Sequence, residues 1–131
     1  MDMKFSSIAN PGDIANERLV MKALADMDVG QYVLLAAVPS DGGPLSGDVN
    51  AYWFPDQDVK AGDFVVLYTK QGGARKQKEL SGGHTAWFFY WGKAAAIWGP
   101  EERKQPVLIE SADWDVKDLD PSKVRREAGS R

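Results

Sequence analysis

A chain of 131 residues with 16 basic and 19 acidic side chains has a formal net charge of −3, and its 27% charged and 44% apolar residues are ordinary globular proportions, which excludes a disordered, collagenous or coiled-coil chain. At about 150 residues per typical domain this length makes one domain, able to bury roughly two thirds of its extended surface. The absence of cysteine removes disulfide scaffolds, thiolate zinc sites, iron–sulfur clusters and cysteine nucleophiles together, and no apolar run approaches the roughly 18 residues of a membrane helix.

In chain order, the opening Met1-Asp2-Met3-Lys4-Phe5-Ser6-Ser7 lacks the basic segment and apolar block of a signal peptide, so a cytoplasmic location is expected. Asp13 to Met27 is ambiguous. Ile14, Val20, Met21, Leu24 and Met27 share a helical stripe, and periodicity alone favours a helix. Glu17 to Leu24 also fits a strand followed by a turn. Gln31 to Val38 is an apolar run of strand length. Pro39 to Gly47 is turn chemistry throughout and reads as a mobile surface loop.

Asp48 to Phe54, Asp63 to Lys70 and Thr85 to Gly92 are the clearest strands, each bounded by glycine, proline or small polar residues. Phe64 to Thr69 is apolar on both faces, as expected where a layer covers each side. Gln71 to Gly83, flanked by glycine pairs, reads as a second mobile loop. Gln105 to Glu110 is a last short strand. From Asp118 a charged tail follows, in which Asp120-Pro121 resembles a helix start without an apolar face to bury. Short strands with few convincing helices predict a two-layer β-sandwich, with an up-and-down barrel as the alternative.

Several segments carry a family resemblance through their order and spacing. Asp28-Val29-Gly30-Gln31-Tyr32-Val33-Leu34, then Tyr52-Trp53-Phe54-Pro55, then Val59-Lys60-Ala61-Gly62-Asp63-Phe64-Val65-Val66 resemble the succession in lamin tail domains. Trp91 and Trp98-Gly99 resemble that family's paired tryptophans, and Val107 to Glu110 its late core strand. The resemblance covers Glu17 to Val116. The chain departs from it in the expanded aromatic run before Trp91 and in lacking the coiled-coil rod of filament proteins.

The resemblance implies a stand-alone, bacterial-type, immunoglobulin-like two-sheet β-sandwich over residues 1–117, with residues 118–131 as a short charged tail. It implies a strand over Arg18 to Leu24. It also implies a module that is not an enzyme, uses no cofactor, and contacts protein, nucleic-acid or membrane-associated partners. Trp91, Phe89, Tyr52 and Phe54 would then point inward, directing Trp53, Phe88 and Tyr90 outward as candidate partner-binding residues. Several wet aromatic rings are unusual for a monomer, so the chain's own termini, a second copy or a different partner should cover them.

Other constellations are weaker. His84 is the single histidine and reads as a solvated or packing residue, since a triad needs a nucleophile elbow and a metal site more ligands. Asp113, Asp115, Asp118 and Asp120 read as a solvated acidic edge; a small metal-dependent hydrolase built on them is an alternative. The glycine pairs match neither phosphate-binding fingerprint. Lys70, Arg75, Lys76 and Lys78 form a locally cationic stretch without an acidic residue up to Lys78. They are the candidate anion or nucleic-acid contacts of a second alternative, against which a pI near 5.1 counts.

Overall fold

The structure, a computed structural model, describes residues 1–119, without the side chains of 45–48. The tail expectation beyond Leu119, including Asp120-Pro121, lies outside the described residues. The strands are β1 (Met3–Ala9), β2 (Arg18–Ala23), β3 (Met27–Asp28), β4 (Tyr32–Ser40), β5 (Gly43–Trp53), β6 (Asp58–Val59), β7 (Phe64–Lys70), β8 (Lys76–Glu79), β9 (Thr85–Lys93) and β10 (Gln105–Glu110). No α-helix occurs among the described residues. The fold is all-β, with antiparallel and mixed sheets arranged consistently with a β-sandwich.

One sheet has five strands in the order β1-β2-β7-β9-β8, the second has three in the order β10-β4-β5, and β3 pairs with β6 in a short ribbon. All pairings are antiparallel except β7 with β9. The core lies between the inner faces, where Met3, Leu19, Met21, Val65, Leu67 and Phe89 meet Tyr32, Leu34 and Phe54. The rings of Phe54 and Phe89 meet edge to face with centroids 5.4 Å apart, a geometry that aromatic quadrupoles favour.

The helical reading of Asp13 to Met27 does not hold. Leu19, Met21 and Ala23 are buried on one side of β2, the period of a strand. The two expected loops are also corrected. Asp41-Gly42 closes a hairpin that pairs Pro39 with Pro44 and Ser40 with Gly43, with Gly43 at φ 110°, so most of Pro39 to Gly47 is strand. Within Gln71 to Gly83, β8 pairs along β9 through main-chain bonds that need no apolar side chain. The segment β1 escaped the pattern because a register shift between Phe5 and Ser7 breaks its alternation.

A buried carboxylate ties the loops to this frame. Glu17 is 0% exposed; its Oε1 accepts from the N–H of Gly12 at 2.7 Å and of Trp98 at 3.1 Å. Its Oε2 accepts from Thr69 Oγ1 at 2.5 Å and from the N–H of Ile97 at 3.0 Å. Four donors on three separate segments thus converge on one side chain, which offsets the cost of burying its charge. The result fixes the start of β2 beside the end of β7, where Arg18 and Tyr68 pair.

Candidate functional site

Alternation decides what the five-stranded sheet shows to solvent. Leu19, Met21, Val65, Leu67, Thr69 and Phe89 point into the core, so their sequence neighbours point out. Register then aligns the outward side chains. Arg18 lies beside Tyr68 and Lys22 beside Phe64. Tyr68 lies beside Tyr90 and Val66 beside Phe88; Phe88 lies beside Lys76 and Ala86 beside Lys78. Lys4 extends the row next to Lys22. Rings therefore occupy β7 and β9, cations line the strands on either side and Lys70 ends β7, and no carboxylate falls at an outward strand position of this sheet.

The rings and cations are in contact. Tyr68 and Tyr90 stack with centroids 5.5 Å apart and planes inclined by 18°, and Phe88 is 6.3 Å from Tyr68. Arg18 Cζ sits 5.5 Å and Lys70 Nζ 5.1 Å from the Tyr68 centroid, Lys76 Nζ 5.7 Å from Tyr90, and Lys22 Nζ 5.8 Å from Phe64. Each distance falls in the range of cation–π attraction. This corrects the expectation of a covering layer on both faces of Phe64 to Thr69: the outer rings are half-buried under the aliphatic stems of lysine and arginine rather than under another sheet. A Cβ at Gly72 would come within 2.1–2.4 Å of three Tyr90 ring carbons, so the bare Gly72 backbone seats that ring. Beside it, Gln71, Gly72, Gly73, Tyr90 and Gly92 line an open cleft of about 300 Å³.

Of the residues singled out in the sequence, Phe88, Tyr90, Lys70, Lys76 and Lys78 meet on this face. Arg75 does not: its Nη1 donates to the carbonyl of Asp56 at 2.7 Å. Trp53 lies on the outer face of the three-stranded sheet, where its Nε1 donates to the carbonyl of Gly30 at 2.8 Å and Trp114 meets its ring edge-on at 5.1 Å. Sequence reasoning missed Arg18, Lys22, Phe64 and Tyr68. Their signal was the alternation Arg18-x-Val20-x-Lys22 and Phe64-x-Val66-x-Tyr68-x-Lys70, masked by the helical reading of the first and by the assumed cover of the second.

The remaining candidates serve the fold or stand apart. Asp63 accepts from the N–H of Lys60 and of Thr85, each at 2.9 Å, and from Trp87 Nε1 at 3.3 Å. Burial alone would raise its carboxyl, but these donors and neighbouring His84 outweigh that effect and hold it below the ordinary carboxylate value. His84 is exposed, its ring lying where a Gly62 Cβ would be. Asp113 and Asp115 are exposed and accept from the N–H of Trp114 and Val116 at 2.9 and 2.8 Å. Among the described residues no three His, Asp or Glu side chains gather as a metal site.

A shallow apolar seam runs between β1 and β10, where Phe5 with Leu108, and Phe5 with Pro106 and Ile8, line two adjoining hollows. The bulge in β1 and Pro106 in β10 blunt both strand edges there. Comparison with known proteins adds no analogue: no family model matches the chain, and neither the curated proteins nor the solved structures provide a match.

Proposed function

We propose that this protein is a non-enzymatic binding module of lamin-tail-like, immunoglobulin-fold type whose five-stranded sheet binds nucleic acid on its outer face. The likeness to lamin tails draws support from the packing of its signature aromatics, Tyr52 against Phe54 at 5.0 Å and Trp91 against Trp98 at 6.2 Å. The observation that carries the binding reading is the interleaving of Phe64, Tyr68, Phe88 and Tyr90 with Arg18, Lys22, Lys70 and Lys76 on a face whose outward strand positions hold no acid. Cations supply sequence-independent attraction to phosphates, and rings supply stacking surfaces for bases.

Magnitudes favour this exchange. An exposed cation–π contact is worth about 0.5–1 kcal/mol, whereas a base stacked on an aromatic ring is worth about 1–3 kcal/mol. A phosphate that draws a lysine off its ring therefore leaves a surface that a base covers at a net gain. The overall charge of −3 does not oppose contact strongly, because at physiological salt charges beyond about 8 Å are screened and the local patch governs. A second copy is disfavoured at this face, since two cationic surfaces repel.

Fluorescence anisotropy of a labelled 12-nucleotide probe tests the reading. With about four phosphates neutralised, affinity should fall about fifty-fold between 50 and 200 mM salt, and Lys70→Glu with Lys76→Glu should abolish most of what remains. No binding at 50 mM salt, or full binding by that double variant, refutes it.

A second reading has its own observation. Trp53 is 50% exposed, Ile109 41% and Trp114 62%, an apolar patch on the opposite side suited to a protein partner. Trp53→Glu should then change sedimentation in the presence of that partner more than it lowers the melting temperature.

A further inference from the structure

We infer that the ligand of the ring-and-cation face is single-stranded nucleic acid, with two or three unpaired bases stacked over Tyr68, Tyr90 and Phe88; the inference rests on the nucleic-acid reading above and narrows it. An aromatic side chain gains most by laying its face on the face of a base, and in a duplex those faces are consumed by neighbouring base pairs while only edges reach the grooves. Groove reading needs an element that projects into the groove, such as a helix or a two-stranded ribbon. Among the described residues there is no α-helix to project from this face, and the outward side chains of β2, β7, β9 and β8 are joined there by the Gly72 loop backbone against Tyr90.

The layout suits a strand laid along the central pair. β7 and β9 run parallel with Tyr68 opposite Tyr90 and Val66 opposite Phe88, so the rings form a block two strands wide. β2 bounds it on one side with Arg18 and Lys22, and β8 bounds it on the other with Lys76 and Lys78. The cation rows are three strand spacings apart, roughly 14 Å at about 4.8 Å per strand. An unpaired strand over the rings thus has phosphate partners on whichever side its backbone lies. Roughly two or three stacked bases is the load carried by other open sheets that present aromatic rings to RNA.

The two tyrosines are held ready for this. They already stack on each other at 18°, and the Gly72 backbone packs against the Tyr90 ring. Away from their mutual contact, Tyr68 is approached by Arg18 and Lys70 and Tyr90 by Lys76 beside the Gly72 backbone; the three cations are flexible side chains that phosphates attract. Little has to be ordered on binding, which preserves affinity.

The test compares three probes by anisotropy and competition at one salt concentration: a 12-nucleotide oligothymidylate, a mixed-sequence duplex of equal length, and heparin. The wild-type chain should bind the single strand at least about tenfold more tightly than the duplex. Tyr68→Ala with Tyr90→Ala should weaken the single strand about tenfold or more while changing heparin affinity less than about twofold, and Lys60→Ala, a cation remote from this face, should change neither. Because the tyrosine variant removes packed rings, its thermal unfolding is measured alongside. If it does not fold, ring-carbon NMR shifts of Tyr68 and Tyr90 in the wild-type chain take its place, and both should move on adding oligothymidylate. Equal affinity for single strand and duplex, or tyrosine rings unmoved at saturation, overturns the inference while leaving nucleic-acid binding standing. Heparin bound as tightly as either nucleic acid, or no binding at all, overturns both.

Discussion

Glu17→Ala removes a side chain that is 0% exposed and accepts from Gly12, Thr69, Ile97 and Trp98. The donors differ in their access to water. The bonds from Thr69 and Trp98 are buried, whereas those from Gly12 and Ile97 are only partly so, and a partly buried N–H can turn to solvent. Two buried donors left without acceptors cost about 1–3 kcal/mol each, so the variant loses about 4 kcal/mol. A domain of this size is stable by about 6–18 kcal/mol, with an unfolding entropy near 0.25 kcal/mol/K, so the melting temperature should fall by about 16 °C. Thermal unfolding followed by circular dichroism reads it directly. Glu17→Gln keeps one acceptor oxygen and should fall between the two. A loss below about 4 °C for the alanine variant would refute the reasoning, because it would mean that all the donors find other partners. The change should also loosen the binding face, since Arg18 follows Glu17 and Tyr68 precedes Thr69.

Other expectations follow from single sites. Phe54→Ala removes a ring that is 2% exposed and packs edge-on against Tyr52 and Phe89, so it should cost about 3–5 kcal/mol in denaturant titration. Gly72→Ala places a methyl within 2.1–2.4 Å of three Tyr90 ring carbons, so it should displace that ring from Tyr68 and weaken nucleic-acid binding more than it lowers the melting temperature. Asp63 titrates below the ordinary carboxylate value in the folded chain. Its contribution is therefore complete above about pH 4 and is lost as pH falls through the lower folded value. Asp63→Asn should be less stable than wild type at pH 7, with the gap closing below pH 4 in parallel melting curves.

How much of this was legible in the sequence depends on the kind of contact. The alternation of Thr85 to Gly92 placed Phe89 inward and Phe88 and Tyr90 outward, because a strand leaves no other arrangement. The central strand β7 was legible from its β-branched and aromatic residues, yet its outer face was misjudged: two rings beside valine look buried until the register brings lysine and arginine over them. β1 was hidden by its bulge, and β8, Lys-Gln-Lys-Glu, by having no apolar residue to betray a strand that is held by main-chain bonds. The Glu17 contacts with Ile97 and Trp98 span 80 and 81 residues, a distance over which no local pattern reports. The basic loop was read as one group, but the strand period sends Lys76 to the rings and Lys78 to the same face beside Ala86 while Arg75 turns to Asp56.

The central claim, that the outer face of the five-stranded sheet is the binding surface, is tested most directly by mapping backbone amide shifts in the wild-type chain as an eight-nucleotide single strand is added. The perturbed amides should cluster at Arg18, Lys22, Tyr68, Lys70, Lys76, Phe88 and Tyr90, with those near Trp53 and Ile109 unchanged. Shifts centred on Trp53 and Ile109, or none at saturating oligonucleotide, would contradict it.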